Sequence, residues 1–318
     1  MLSRVRPPVI RRVLRKLVVM ATLWLLGPIA LVLGHAALLP DRVGAYDERT
    51  GPTFDGAGRG PYVYQVPADA GTLHEFQIGP VAGFGAPEER LWHGFGPTDG
   101  PPRPVIVLLH GAGRNGASMI DMWQDLAKRQ NVVLVAPDAR APRWSLVTEG
   151  PMFLSALLKD AAEQYAIDFK SIYLVGHSDG GAHAMRIANL GGGVFRAVAT
   201  HSGHSNRLRM IPALNPVPIH SFVGDADVAF TVESSRAALT HLARAGHPTS
   251  LTVIPGHNHW YYGIGKNLAS VMWQRLGADQ APPQSPGSPP PAQMVQRSAP
   301  VPTDRATGAK WVRVPGND

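Results

Sequence analysis

Cysteine is absent from all 318 residues. That excludes disulfides, a thiolate nucleophile, a lipidated cysteine and any zinc site built on sulfur. An oxidising compartment is compatible with such a chain but not required by it. Acidic residues are absent from the first 16 positions, which carry Arg4, Arg6, Arg11, Arg12, Arg15 and Lys16. Asp, Glu, Lys and Arg are then all absent from Leu17 to Leu39. The formal net charge of +7 therefore lies outside the middle of the chain, because residues 17–278 hold 20 bases and 20 acids. A nucleic-acid footprint needs a basic face on the folded domain, so no nucleic-acid partner is expected. No internal repeat is present.

A basic cluster followed by an apolar run leaves the bases in the cytoplasm and places everything after Leu39 outside, so the chain is expected to be exported, to a periplasmic or extracellular location. Two readings compete for residues 17–39. A cleaved signal peptide needs a short apolar stretch and small residues before the cut, which Gly34 and Ala36 supply. A retained membrane anchor needs about 20 apolar residues, close to what is there. Residues 40–60, rich in Gly, Pro and charge, read as a linker. Residues 61–278 form the expected folded domain. Residues 279–318 are dominated by Pro, Ser, Gly and Gln without apolar periodicity and are expected to be disordered.

Within the folded domain, Tyr62–Val66 and Leu73–Ile78 read as an opening pair of strands, and residues 81–102 as loops. A regular alternation follows. Continuous apolar strands are expected at Val105–Leu109, Val132–Ala136, Ile172–Val175, Phe195–Ala199, Ile219–Val223 and Leu251–Ile254. Helical periodicity falls between them, at Ser118–Arg129, Met152–Tyr165, Gly180–Leu190, Val232–Ala245 and finally Tyr261–Leu276. Strands without polar alternation, spaced by helices, indicate a parallel sheet covered on both faces. The expected fold is an α/β layer with eight strands, and its ligands should bind at the carboxyl ends of those strands.

The most informative stretch is Gly176-His177-Ser178-Asp179-Gly180. It is a G-x-S-x-G sequence between a strand and a helix, where a sharp turn presents a strained serine at its tip. The pattern alone is weak; the flanking strand and helix make it specific. An ordinary glycine-rich turn with an N-capping serine is the bland alternative. Strand Val105–Leu109 runs into His110-Gly111-Ala112-Gly113-Arg114-Asn115-Gly116. Such a loop supplies one backbone N–H to an oxyanion and the residue after the nucleophile supplies the other, here Ala112 and Asp179. A phosphate-binding loop is the alternative, and the segment lacks its G-K-[ST] ending.

A serine nucleophile needs a base, and the base an orienting carboxylate; in hydrolases with this kind of serine turn the chain order is Ser, acid, His. Gly224-Asp225-Ala226-Asp227 follows one strand and Pro255-Gly256-His257-Asn258-His259-Trp260 follows the last. By analogy to the turn geometry of hydrolases with this serine turn, Asp227 is favoured over Asp225 and His259 over His257. The rivals have ordinary roles: Asp225 caps its turn and His257 is a surface loop residue. A metal reading of His257-x-His259 lacks an HExxH motif or a neighbouring carboxylate, so no metal is expected.

Leu109-His110-Gly111-Ala112-Gly113, Ala136-Pro137-Asp138-Ala139-Arg140, Gly176-His177-Ser178-Asp179-Gly180-Gly181 and His201-Ser202-Gly203 together resemble the α/β-hydrolase superfamily. Within it the chain looks like the phospholipase/carboxylesterase, dienelactone hydrolase and polyhydroxybutyrate depolymerase-like esterases. The resemblance covers Pro61 to Leu276 and implies a cofactor-free hydrolase of carboxylic esters. Secreted depolymerases usually carry disulfides, which this chain cannot form, and this points away from a polymeric substrate. The stretch from Ala199 to Ile219, with Arg207, Arg209 and Pro212, is too short for a large cap domain, so an open site for small, soluble esters is expected. His177, Trp144, Trp260 and Tyr261 are candidates to line it, with plain core or rim packing as the alternative. Two other functions fit the same residues: an acyltransferase or peptidase using the same triad, and a non-catalytic, membrane-tethered binding module on a hydrolase scaffold.

Overall fold

The computed structural model describes residues 43–58, 62–79, 87–191, 194–205, 212–213 and 215–277. The apolar run 17–39, the tail 279–318, Arg207 and Arg209 lie outside them.

Among the described residues nine strands form one sheet: β1 (Tyr46–Thr50), β2 (Thr72–Ile78), β3 (Glu88–Phe95), β4 (Arg103–Leu109), β5 (Val133–Pro137), β6 (Ile167–His177), β7 (Ala197–His201), β8 (Ile219–Gly224) and β9 (Thr249–Ile254). Their order is β1-β9-β8-β7-β6-β4-β5-β3-β2. From β1 to β5 in that order every pairing is parallel. β3 pairs antiparallel with both β5 and β2. This is the α/β-hydrolase architecture, a mostly parallel sheet with helices on both faces.

Because successive side chains of a strand point to opposite faces, β4 splits its residues between two cores. Val105, Val107 and Leu109 pack with helices α2 (Pro151–Gln164), α3 (Asp179–Gly191) and α4 (Val232–Arg244). Ile106 and Leu108 pack with α1 (Gly116–Gln130) and α5 (Gly265–Gly277). Burial on both faces explains why these strands read as unbroken apolar runs. Each fully buried Leu or Val contributes about 1.5–3 kcal/mol relative to exposure. α1 starts at Asn115, whose side chain accepts from Ser118 N–H, and ends at Asn131 in the left-handed region, φ 54. α4 is capped by Thr231, which accepts from Ser234 N–H.

The structure corrects the sequence reading at the edges of the sheet. Residues 46–50, read as linker, form strand β1 beside β9. Their charge fits an edge strand with one open side, and Glu48 holds Arg236 through Nη2 at 2.6 Å and Nε at 2.8 Å. Tyr62–Val66 is not a strand; Tyr62 packs on Trp260 and Tyr64 stacks on Tyr262 instead. The partner of β2 is β3, hidden in residues read as loops. Its charged Arg90 looks like a surface residue but is buried against Glu149 at 2.9 Å.

The membrane-spanning expectation finds no support in the structure: residues 17–39, on which it rests, lie outside the described residues. No helix among the described residues is long and apolar enough to cross a membrane. The longest of them, α1, has 15 residues and packs one face on the sheet.

Candidate active site

β6 ends at His177 and α3 begins at Asp179. Ser178 makes the turn with φ 53, a left-handed conformation that serine adopts only under constraint. The constraint is visible: Ser178 N–H donates to the His201 carbonyl at 2.9 Å, and the Ser178 carbonyl accepts from Ala182 N–H at 3.0 Å. Glycine is required on either side by close approach. A Cβ on Gly176 would overlap the Gly180 carbonyl, and one on Gly180 would overlap the carbonyls of Leu109 and His110.

His259 Nε2 lies 3.0 Å from Ser178 Oγ, and His259 Nδ1 lies 2.9 Å from Asp227 Oδ2. The other oxygen of Asp227 accepts from Ala229 N–H at 2.8 Å and Phe230 N–H at 2.9 Å. Burial pushes the Asp227 carboxyl up, but hydrogen bonds from His259, Phe230 N–H and the Ser202 hydroxyl outweigh it and hold the group below the usual carboxylate value. The Asp227 side chain is 0% exposed, whereas that of His259 is 35% exposed. The acid is sealed and the base opens to solvent. Phe230 stacks on the His259 ring at 5.5 Å and fixes its plane.

The competing residues go elsewhere. Asp225 is exposed and its Oδ1 accepts from Gly256 N–H at 2.7 Å, tying together the turns after β8 and β9. His257 is fully buried, which corrects the expectation of a surface loop residue. Its Nε2 lies 2.9 Å from His201 Nε2, and His201 Nδ1 lies 3.0 Å from His177 Nδ1. Each contact joins two ring nitrogens, so one must be protonated and the other bare. Burial, joined by repulsion from neighbouring histidines, pushes His177 down to about 3 and His201 well below its usual value. Burial likewise takes His257 to about 4. The three rings are a neutral chain beneath the site. Sequence reasoning missed their connection; the signal was His177-Ser178 and His201-Ser202, the same dipeptide at the ends of adjacent strands.

The loop after β4 lies against the serine. A Cβ added to Gly111 would sit 3.0 Å from His177 Cδ2 and 3.3 Å from Ser178 Cβ. His110 Nδ1–H donates to the Gly111 carbonyl at 2.8 Å while its Nε2 accepts from Ala139 N–H at 3.0 Å. Trp144 ties the loop to the helix that follows the serine: its Nε1–H donates to the His110 carbonyl and its backbone N–H to Asp179 Oδ2, both at 2.8 Å. Ala112 is exposed and Asp179 half-buried.

Gly111, Gly113 and Gly116 also fall at the G-x-G-x-x-G spacing of dinucleotide-binding turns. There, the free N–H groups of a helix N-terminus hold the phosphates. Here those donors are occupied: Gly116 N–H bonds Asp138 Oδ1 at 2.6 Å and Ser118 N–H bonds Asn115 Oδ1 at 3.2 Å. A carboxylate of the protein already stands where a phosphate would bind.

Glu149 was not foreseen from the sequence. It is buried and accepts from Arg90 Nη2, Arg140 N–H, Ser145 N–H and Thr148 Oγ1, at 2.9, 3.1, 3.0 and 2.7 Å. These bonds shape the segment that carries Trp144. Among the expected lining residues, Trp144, Tyr261 and His177 are buried in packing, Tyr261 accepting from Trp123 Nε1 at 2.8 Å; Trp260 is half-buried at the rim.

The chain matches no protein-family profile. Over 110 residues it is 30% identical to a probable feruloyl esterase C of Aspergillus oryzae, a match covering 32% of this chain and 41% of the relative. The chain thus spans about two fifths of the length of that relative. Among solved structures it is similar to an S-formylglutathione hydrolase of Agrobacterium tumefaciens, with TM-score 0.51 and 16% identity, covering 69% of this chain and 99% of the other. An S-formylglutathione hydrolase of Staphylococcus aureus gives TM-score 0.51 at 13% identity, covering 64% and 98%. A thermostable esterase gives TM-score 0.50 at 19% identity, covering 63% and 62%. These structural likenesses establish a shared fold.

Proposed function

We propose that the chain is a serine hydrolase that cleaves small, soluble carboxylic esters through an acyl-enzyme. The observation that carries this reading is the unbroken pair of contacts from Ser178 Oγ to His259 Nε2, 3.0 Å, and from His259 Nδ1 to Asp227 Oδ2, 2.9 Å. Ester hydrolysis is also the activity named for the feruloyl esterase relative.

In the first half-reaction Ser178 Oγ attacks the ester carbonyl while His259 Nε2 takes its proton. The negative charge that forms on the carbonyl oxygen is met by the backbone N–H groups of Ala112 and Asp179. Asp227 stays ionised, which its four hydrogen bonds favour, and stabilises the imidazolium. His259 then protonates the leaving alcohol. Water repeats the sequence on the acyl-enzyme, releasing the acid and restoring Ser178. Because the serine is partly exposed and no inserted domain covers the strand ends among the described residues, the site admits soluble substrates without a lid movement.

The test is to expose the full chain to a fluorophosphonate probe and to short p-nitrophenyl esters, beside Ser178→Ala. Labelling and turnover in the wild type, and their loss in the variant, are expected. A variant that still labels at the same rate removes the assignment.

A further inference from the structure

Arg114 lies on the same loop as Ala112, two residues further along. Its Cζ is 5.0 Å from the Tyr262 ring, 5.5 Å from the Trp260 ring and 5.8 Å from the Tyr64 ring. Trp260 is the residue after His259, and the Tyr262 ring is 6.0 Å from that of His177. Three aromatic faces thus fix a guanidinium on the wall of the site. Yet among the described residues no carboxylate lies within 4.0 Å of it. Acids on the elements that build the site are committed elsewhere. Asp121 is taken by Lys266 at 3.1 Å and by Tyr64 OH at 2.9 Å. Asp138 is taken by Gly116 N–H, Asp179 by Trp144 N–H and Asp227 by His259. Arg114 is only half-buried, so it stays partly open to solvent.

Aromatic faces attract a guanidinium through its charge but leave the five N–H donors in the guanidinium plane unspent. A planar fork packed on aromatic rings, with no described carboxylate to neutralise it and on the same loop as Ala112, is suited to a carboxylate or another oxyanion. We infer that the esters this site prefers carry an anionic group, and that Arg114 binds that group while Ser178 attacks the ester carbonyl. The inference rests on the hydrolase reading above.

The test compares kcat/KM within two ester pairs. Monoethyl adipate against ethyl hexanoate places the charge on the acyl side; para-acetoxymethylbenzoate against benzyl acetate places it on the alcohol side. The anionic member is expected to be favoured about tenfold in at least one pair, with the preference shrinking as salt is raised. Arg114→Met should lower the anionic-to-neutral ratio by a similar factor, and Arg114→Lys should retain part of it. A wild-type ratio of one or less in both pairs overturns the inference, as does a ratio that Arg114→Met leaves unchanged. If Arg114→Met does not fold, the salt dependence of the wild-type ratio decides: a salt-independent ratio counts against the inference. Absence of fluorophosphonate labelling at Ser178 identifies failure of the hydrolase reading itself, which takes this inference with it.

Discussion

Ser178 and Ser202 occupy the same place on neighbouring strands, each following a histidine and each in the left-handed region, at φ 53 and φ 45. The histidines before them, His177 and His201, are register partners across β6 and β7. Ser178 N–H donates to the His201 carbonyl at 2.9 Å, and Ser202 N–H to the Phe222 carbonyl at 2.8 Å. The motif is repeated one strand along, with different outcomes. Ser178 is partly exposed and meets His259, while Ser202 is buried and gives its hydroxyl to Asp227.

The two serines should therefore respond differently to the same change. Ser178→Ala is expected to lower ester turnover by at least about 1,000-fold. Ser202→Ala removes one hydrogen bond to the acid, worth about 1–1.5 kcal/mol, and should lower kcat about tenfold while fluorophosphonate labelling of Ser178 persists. Steady-state kinetics and labelling of both variants check this. A complete loss of labelling in folded Ser202→Ala contradicts it.

The paired ambiguities separate in the same way. His259→Ala and Asp227→Asn should each cost about 1,000-fold or more in kcat. Asp225→Asn should stay within about threefold of the wild type, since its carboxylate only accepts from the Gly256 N–H. His257→Gln should change kcat far less than His259→Ala but lower the melting temperature, because His257 is buried and bonded to His201. Kinetics and thermal melts on the four variants distinguish these outcomes.

Stability should fall on mild acidification. His177 is held down to about 3, and His183 and His257 to about 4, in each case mainly by burial. These groups are neutral in the folded chain but protonate near pH 6.5 when it unfolds. The unfolded state binds more protons, so stability is full above pH 6.5 and is lost as pH falls towards 4. Each histidine contributes up to about 1.4 kcal/mol per pH unit across that window. Glu149 and Asp227, whose carboxyls are held low, act in the same direction only below about pH 4.5. Urea midpoints should decline between pH 6.5 and 4.5, less steeply in His257→Gln; a flat profile contradicts the assignment.

Glu149→Ala should destabilise the fold by about 3–5 kcal/mol, because it leaves the Arg90 guanidinium buried without its carboxylate. Replacing both partners together, as Arg90→Met with Glu149→Leu, should recover a substantial part of that loss. Denaturant unfolding of the single and double variants measures the difference.

The sequence by itself determined the parallel sheet, its helices and the serine turn. Strands buried on both faces must be apolar throughout, and a strand-to-helix turn as tight as that at Ser178 must be flanked by glycine. Both constraints are local and leave a mark on residue type. Analogy of turn shape favours Asp227 and His259 over Asp225 and His257, but only the tertiary structure brings Asp227 Oδ2 and Ser178 Oγ to the two nitrogens of His259, since that depends on where two turns from distant parts of the chain come to rest. The same holds for charged residues whose partners are far away in sequence. Arg90 and Tyr46–Thr50 look like surface and linker because charge signals exposure, until Glu149 and the edge of β9 supply what offsets it. The buried histidines follow the same rule: their neutrality comes from one another and from the core around them, which no single stretch of sequence contains.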